Sequence, residues 1–269
     1  MIKKRISALC LCLLLLLASG CATEKRAAEP KTLVVFAAAS LTETLTELGD
    51  RYMAEHKGVK LVYNFDSSGT LQRQLAEGAA CDVFLSAGQK QMNALEGKDG
   101  AKASWLLDGS RFNILENEVV LAVPRGNPKH IQSYRDLAAR LGTEKILLAV
   151  GNADVPVGQY TQRLLKFFGL DEKVLAEGGK ITYGSNVKEV TTQVSEGVVD
   201  AGIIYRTDAA AAQLAAVDTA TPEMCGQVIY PAAILKGSRQ QAEARAYLAF
   251  LQSPAAGEVF RKAGFTPLK

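Results

Sequence analysis

Short β-branched and aromatic runs alternate with longer amphipathic stretches along most of this 269-residue chain. Runs at 33–36, 60–65, 83–86, 119–123, 146–150, 180–183, 201–205 and 228–234 have the length and composition of buried strands. Helical periodicity starts near Leu41, Thr70, Lys90, Ser133, Gly158, Val187, Thr207 and Arg239. Strands of four to seven residues, each followed by a helix, imply βαβ units and mainly parallel sheets. Two runs break that rule. Residues 119–124 and 228–235 contain or abut a proline, and neither leads at once into a helix. They are the candidate crossings between two lobes. The alanine-rich stretch 209–216 reads as further helix. At the C-terminal end a helix over 240–251 is followed by Ser253-Pro254, which restarts a helix through Phe260.

The first residues follow a different pattern. Lys3, Lys4 and Arg5 precede an apolar run from Ala8 to Ala18, which ends in Ser19-Gly20-Cys21. This is the layout of a secretory signal over 1–20, too short for a spanning helix. The approach to Cys21 resembles a bacterial lipobox, although Ala18 stands where Leu is commonest. Cys21 is therefore the expected lipidation site, with an incidental cysteine after an ordinary signal as the alternative. Residues 21–31 are short and polar and suit a tether. Such an anchor holds a protein on a membrane without spanning it.

Removing the signal changes the charge. The chain has 31 Lys+Arg and 28 Asp+Glu; three of the basic residues lie in the signal, which leaves a mature chain of zero net charge. A nucleic-acid partner, normally met by a basic domain, loses its support, and the single tryptophan offers no stacking platform. Of five cysteines only Cys81 and Cys225 remain beyond Cys21. Two separate buried thiols are expected, with a disulfide as the alternative.

The candidate chemistry sits where strands end and helices begin. The first N–H groups of a helix have no partner within it, and its dipole is positive there, so such a junction seats anions. Phe36-Ala-Ala-Ala-Ser40-Leu-Thr-Glu43 and Phe65-Asp-Ser-Ser68-Gly-Thr-Leu71 each form one, with no lysine or arginine inside. Ser40-Leu-Thr-Glu43 also fits a capping box, which alone would account for Ser40. Ser67-Ser68-Gly69 offers more hydroxyls than one cap needs, although ordinary turn chemistry explains it too. Three later junctions follow: Gly151 to Gly158, Gly184-Ser-Asn-Val187, and Gly202-Ile-Ile-Tyr205. Ligands of open α/β sheets bind beyond the carboxyl ends of strands, where all five lie. His56 and His130 lie in polar stretches away from these serines. No nucleophile elbow, P-loop, zinc-protease helix or dinucleotide fingerprint is present, and Cys81 and Cys225 lack metal-ligand spacing.

These segments resemble the bacterial molybdate-binding proteins, the extracytoplasmic subunits of molybdate ABC importers. The likeness is carried by residues 35–42, 67–71, 82–87, 155–160, 201–205 and 264–267 and covers nearly all of 32–269. It implies a two-lobed α/β fold of the type II periplasmic-binding architecture, with the ligand between lobes. Lobe I would span 32–116 plus 232–269, and lobe II 117–231. Ser40 and Ser68 would donate hydroxyl and N–H groups, Val157 and Val187 their N–H groups, and Tyr205 its hydroxyl. The implied ligand is molybdate, with tungstate inseparable by size; no cofactor, cationic metal or catalysis is implied. The implied partners are a membrane permease and its ATPase, and the chain is expected to act as a monomer outside the cytoplasm. Three positions depart from the family. Val157 stands where Ala is frequent, Asn186 where an acidic residue is common, and Asp66 where a small one is usual. Asp66 keeps a protonated, phosphate-like ligand in consideration, although its carboxylate is expected to point outward. A sulfate or phosphate receptor is the main alternative; a hydrolase using Ser40 or Ser68 would need a base that neither motif contains.

Overall fold

The computed structural model describes residues 30–97 and 104–268. The signal, Cys21 and residues 22–29 lie outside them. The chain opens with β1 (Lys31–Ala38), so the last tether residue named above already belongs to a strand. A 3-10 turn (Ala39–Leu41) leads into α1 (Thr42–Glu55). β2 (Val59–Asp66), α2 (Ser68–Ala76), β3 (Val83–Leu85) and α3 (Gln89–Glu96) follow. β4 (Phe112–Asn117) and β5 (Val119–Val123) are separated by Glu118 alone. Next come α4 (Tyr134–Leu141), β6 (Leu148–Gly151), α5 (Pro156–Phe167), α6 (Glu172–Glu177) and β7 (Ile181–Gly184). Then α7 (Val187–Ser195), β8 (Ala201–Tyr205), α8 (Arg206–Ala211) and β9 (Ala215–Thr219) complete the second lobe. The return runs through α9 (Pro222–Cys225) into β10 (Val228–Ile234), α10 (Gln241–Leu251), α11 (Pro254–Ala263) and β11 (Thr266–Pro267).

Two sheets result, one per lobe. The first has the strand order β11-β4-β10-β3-β1-β2, the second β7-β6-β8-β5-β9. Both are mixed rather than mainly parallel. β1 pairs in parallel with β2 and β3, and β6 with β7 and β8, as βαβ units require. β5 and β10, by contrast, run antiparallel to both of their neighbours. These are the two proline-marked runs. They are strands, as their composition predicts, but not the crossings: β5 is wholly buried, and β10 pairs with β4 from Val228 onward, so residues 228–231 belong to the first sheet and not to lobe II. The crossings are Glu118 and the stretch between β9 and β10. Each strand runs antiparallel because it carries the chain back from the other lobe.

The alanine-rich stretch is also not one helix. α8 stops at Ala211, Gln213 takes a positive φ of 54°, and Ala215–Thr219 pairs with β5. Sheet pairing there outweighs alanine's helical preference.

Register positions the site. Ala38 lies opposite Asp66 at the ends of β1 and β2, so the junctions that carry Ser40 and Ser68 emerge side by side. Gly151 lies opposite Gly184 at the ends of β6 and β7, which does the same for α5 and α7 in the other lobe. Among the described residues no helix is long and apolar enough to cross a membrane.

Candidate functional site

The structure brings four of the five predicted residues, Ser40, Ser68, Val187 and Tyr205, onto one small cavity between the lobes, with Ser67, Ala87, Val155 and Pro156 completing much of its wall. Its volume, counted at the centres of water-sized spheres, is ≈ 10 Å³. No charged side chain lines it. A wider cleft of ≈ 350 Å³ opens on the other side of Ser40, lined by Glu43, Glu47 and Lys262 among others, and it contains none of the other four predicted residues.

Ser68 is fully buried at the first turn of α2. The cap of that helix is its neighbour: Ser67 Oγ accepts from Thr70 N–H at 3.1 Å. Ser68 is thereby released from capping. Its Oγ accepts from the Ala87 N–H at 2.9 Å, which leaves its own proton free to donate. Ser40 is not a cap either. It sits in the 3-10 turn, Leu41 precedes α1 without a side-chain cap, and Ser40 Oγ lies 2.9 Å from the Tyr230 hydroxyl. Glu43, the supposed partner in a capping box, instead accepts from Lys188 of the opposite lobe at 2.8 Å.

The second lobe supplies two helix N-termini. Asn186 caps α7 through Glu189 N–H at 3.1 Å, which places Val187 first in the helix with its N–H unclaimed by helical pairing. In α5 the first residue is Pro156, which has no N–H, so Val157 carries the first helical donor. Val157 is fully buried, but its neighbours Val155 and Pro156 form the cavity wall rather than Val157 itself. Gly158 packs this turn tightly onto the end of β6: a Cβ there would lie 2.2 Å from Asn152 O.

Tyr205 ends β8, 1% exposed, and its hydroxyl has no hydrogen-bond partner in the protein. Burial pushes its phenol well above the ordinary range, so the group stays protonated and can donate. An unmatched buried hydroxyl costs free energy unless a ligand completes it. Tyr205 also stacks edge-on against Tyr230 at 5.9 Å.

Asp66 does not point outward. Its Oδ1 accepts from Ser67 N–H at 2.7 Å and, across the cleft, from Asn186 Nδ2 at 3.3 Å. It is thus a rim contact between lobes, outside the cavity wall. Arg73 and Asp154 make a second rim pair at 2.5 Å, and Lys188 spans Glu43 and the buried Asp208, 3.0 Å from Oδ1. Sequence reasoning missed Ala87, Tyr230, Asn117 and Lys188. Only Tyr230 left a trace, as the tyrosine before the proline of β10. Cys81 and Cys225 are separate buried thiols, with burial pushing them up to about 12 and about 11. Among the described residues no cluster of His, Cys, Asp or Glu could hold a metal ion.

Neutral side chains and helix N-termini from two lobes meet at this cavity, with two sheets joined by Glu118 and by the return after β9, the architecture of a two-lobed binding protein. Residues 33–266 match the bacterial extracellular solute-binding proteins, and the chain belongs to that family. It is 35% identical over 93% of its length, and 94% of the relative's, to YvgL of Bacillus subtilis, provisionally named an ABC transporter substrate-binding lipoprotein. It is 34% identical to the molybdate-binding protein ModA of Mycobacterium tuberculosis, covering 87% of this chain and 84% of that one. The periplasmic molybdate-binding protein of Azotobacter vinelandii shares the fold, with a TM-score of 0.74 at 23% identity over 88% of this chain and 100% of that chain. The family's work is solute binding for transport, outside the cytoplasm, and not catalysis.

Proposed function

We propose that this protein captures molybdate, and tungstate equally, and delivers it to an ABC permease and its ATPase, held at the membrane by lipid on Cys21. The observation that supports the ligand reading is the buried, unpartnered Tyr205 hydroxyl on a residue that lines one cavity with Ser68 and the starts of two helices, with no cation in the cavity wall. Transferring a dianion from water costs several kcal/mol unless its oxygens are fully hydrogen-bonded. Charge-assisted bonds are each worth roughly 1.5–3 kcal/mol, so donors from Ser40, Ser68, Val157, Val187 and Tyr205 offset that cost. Relatives named as molybdate-binding, at 30% identity or more, support the same ligand. The name of the Bacillus relative supports the lipid anchor.

Calorimetry with molybdate, tungstate, sulfate and phosphate tests the reading. Heat from molybdate and tungstate, with little from the other two, is the expected result; sulfate or phosphate binding in molybdate's place would refute it. Mass spectrometry of membrane-extracted protein checks Cys21. A serine hydrolase gains no support, because Ser40 Oγ faces a tyrosine and Ser68 Oγ a backbone N–H, neither of which is a base.

A further inference from the structure

We propose that Asn117 and Tyr230 are positioning residues for Ser40: they order the hydroxyl chain so that Ser40 accepts from Tyr230 and keeps its own proton for a bound oxyanion. This rests on the oxyanion reading above and adds two residues to it.

The proton order follows from one backbone group. Glu118 N–H donates to Asn117 Oδ1 at 2.8 Å. A backbone N–H can only donate, so the Asn117 oxygen is fixed and its amide nitrogen must face the other way. That nitrogen lies 2.9 Å from Thr207 Oγ1 and 3.2 Å from the Tyr230 hydroxyl. Both hydroxyl oxygens therefore accept from Asn117. The Tyr230 oxygen, having accepted, still carries its own proton, and the partner within reach is Ser40 Oγ at 2.9 Å. Ser40 then accepts from Tyr230, and its proton is left for the two spaces that it lines, of which the smaller also has Ser68, Val187 and Tyr205 in its wall.

The chain is buried throughout: Tyr230 is 0% exposed, Asn117 and Ser40 4%. Burial pushes the Tyr230 phenol far up, so it remains a proton donor to Ser40. The ring is clamped edge-on by Tyr205 at 5.9 Å and Phe265 at 5.5 Å, which holds the hydroxyl in place.

The consequence is a pair of matched donors. Ser68 is arranged alike, with one lone pair engaged by Ala87 N–H. With a protein donor on one lone pair, each hydroxyl has its proton free for an oxyanion oxygen.

A double-mutant cycle on the full mature chain tests this, with calorimetry for molybdate. Tyr230→Phe is expected to weaken molybdate binding about tenfold in the wild-type background and less than about twofold in Ser40→Ala, since its effect passes through Ser40. Asn117→Asp provides a second cycle should the phenylalanine variant not fold. Its carboxylate accepts from Tyr230 and reverses the chain without loss of bulk, and its charge acts equally in both backgrounds and so cancels. Losses that simply add, with wild-type binding of molybdate intact, overturn the proton relay alone. A wild-type protein that bound no molybdate would sink both the relay and the function on which it rests.

Discussion

Gly69→Ala separates closure of the cleft from stability of the fold. Gly69 is the second residue of α2, where alanine is a better helix former by up to about 1 kcal/mol. Within lobe I the substitution is therefore neutral or stabilising. Across the cleft it is not. A Cβ at Gly69 would lie 2.1 Å from the carbonyl oxygen of Asp154 and 2.9 Å from its carbon, whereas ordinary contact begins near 3.4 Å. Both atoms are backbone, and Asp154 is held by Arg73 at 2.5 Å and by its N–H to Asn152 Oδ1 at 2.9 Å. Relief needs the two backbones to separate by about an ångström, and the expected response is that the lobes part. On the proposed reading, parting them withdraws the N–H groups at the starts of α5 and α7 from an anion seated on Ser40 and Ser68. Two such bonds, at about 1.5 kcal/mol each, amount to about 3 kcal/mol, or roughly a hundredfold in affinity. The assays are molybdate calorimetry and thermal unfolding without ligand. The expected result is a large loss of affinity with a melting temperature unchanged or raised. Affinity within about twofold of wild type would show that ligand binding does not require the close approach of Gly69 to Asp154.

Tyr205→Phe removes a hydroxyl that no protein group uses, so molybdate affinity should fall about tenfold while ligand-free stability holds or rises. Unchanged affinity would remove Tyr205 from the seat. Asn186→Asp keeps the cap on α7 but sets a second carboxylate 3.3 Å from Asp66, and should weaken molybdate about tenfold by opposing closure. Adding Asp66→Asn should restore most of that loss, and no recovery would refute the pairing. Asp208 is buried, and desolvation raises its carboxyl from 3.8 to about 6 despite Lys188. Its charged form is thus disfavoured in the folded chain. The stability it contributes is complete below the unfolded value of 3.8 and is lost as pH rises through about 6. Asp208→Asn should flatten the fall in stability over that window, by up to about 3 kcal/mol in denaturant titrations. An identical pH profile in the variant would show that Asp208 is not the titrating group.

The parts of the fold legible in the sequence are those where one segment reports on itself. β1, β6 and β8 are apolar runs that end in a helix cap or a small residue, and each was visible as such. The seats at Ser68 and Val187 were visible for the same reason. What stayed hidden depends on pairing at a distance. β9 looks like helix until β5 lies beside it, and β10 is legible as a strand over 228–234 but not as a member of the first sheet, since that depends on its pairing with β4. Ser40 shows the same limit from the other side. Its capping box is a sound local motif, yet the hydroxyl goes to Tyr230, 190 residues away, and the box glutamate to Lys188. A local rule loses where a tertiary partner offers a better bond.

Asp66 and Asn186 carry this furthest. Each alone looked like an unfavourable departure: a carboxylate brought near an anion seat, and an acid exchanged for an amide at a helix cap. Together they are one contact. Asp66 turns its oxygen to Ser67 N–H and to the Asn186 amide, so its charge is spent at the rim rather than aimed at the ligand. An acidic residue at 186 would face Asp66 across the cleft and hold the lobes apart; the amide donates instead. The cap that exposes Val187 N–H to the cavity is the same side chain that bridges to Asp66. Closing the lobes and presenting the donor are therefore a single event at this residue, and substitution of either partner should act on affinity through closure, with the anion's own contacts left in place.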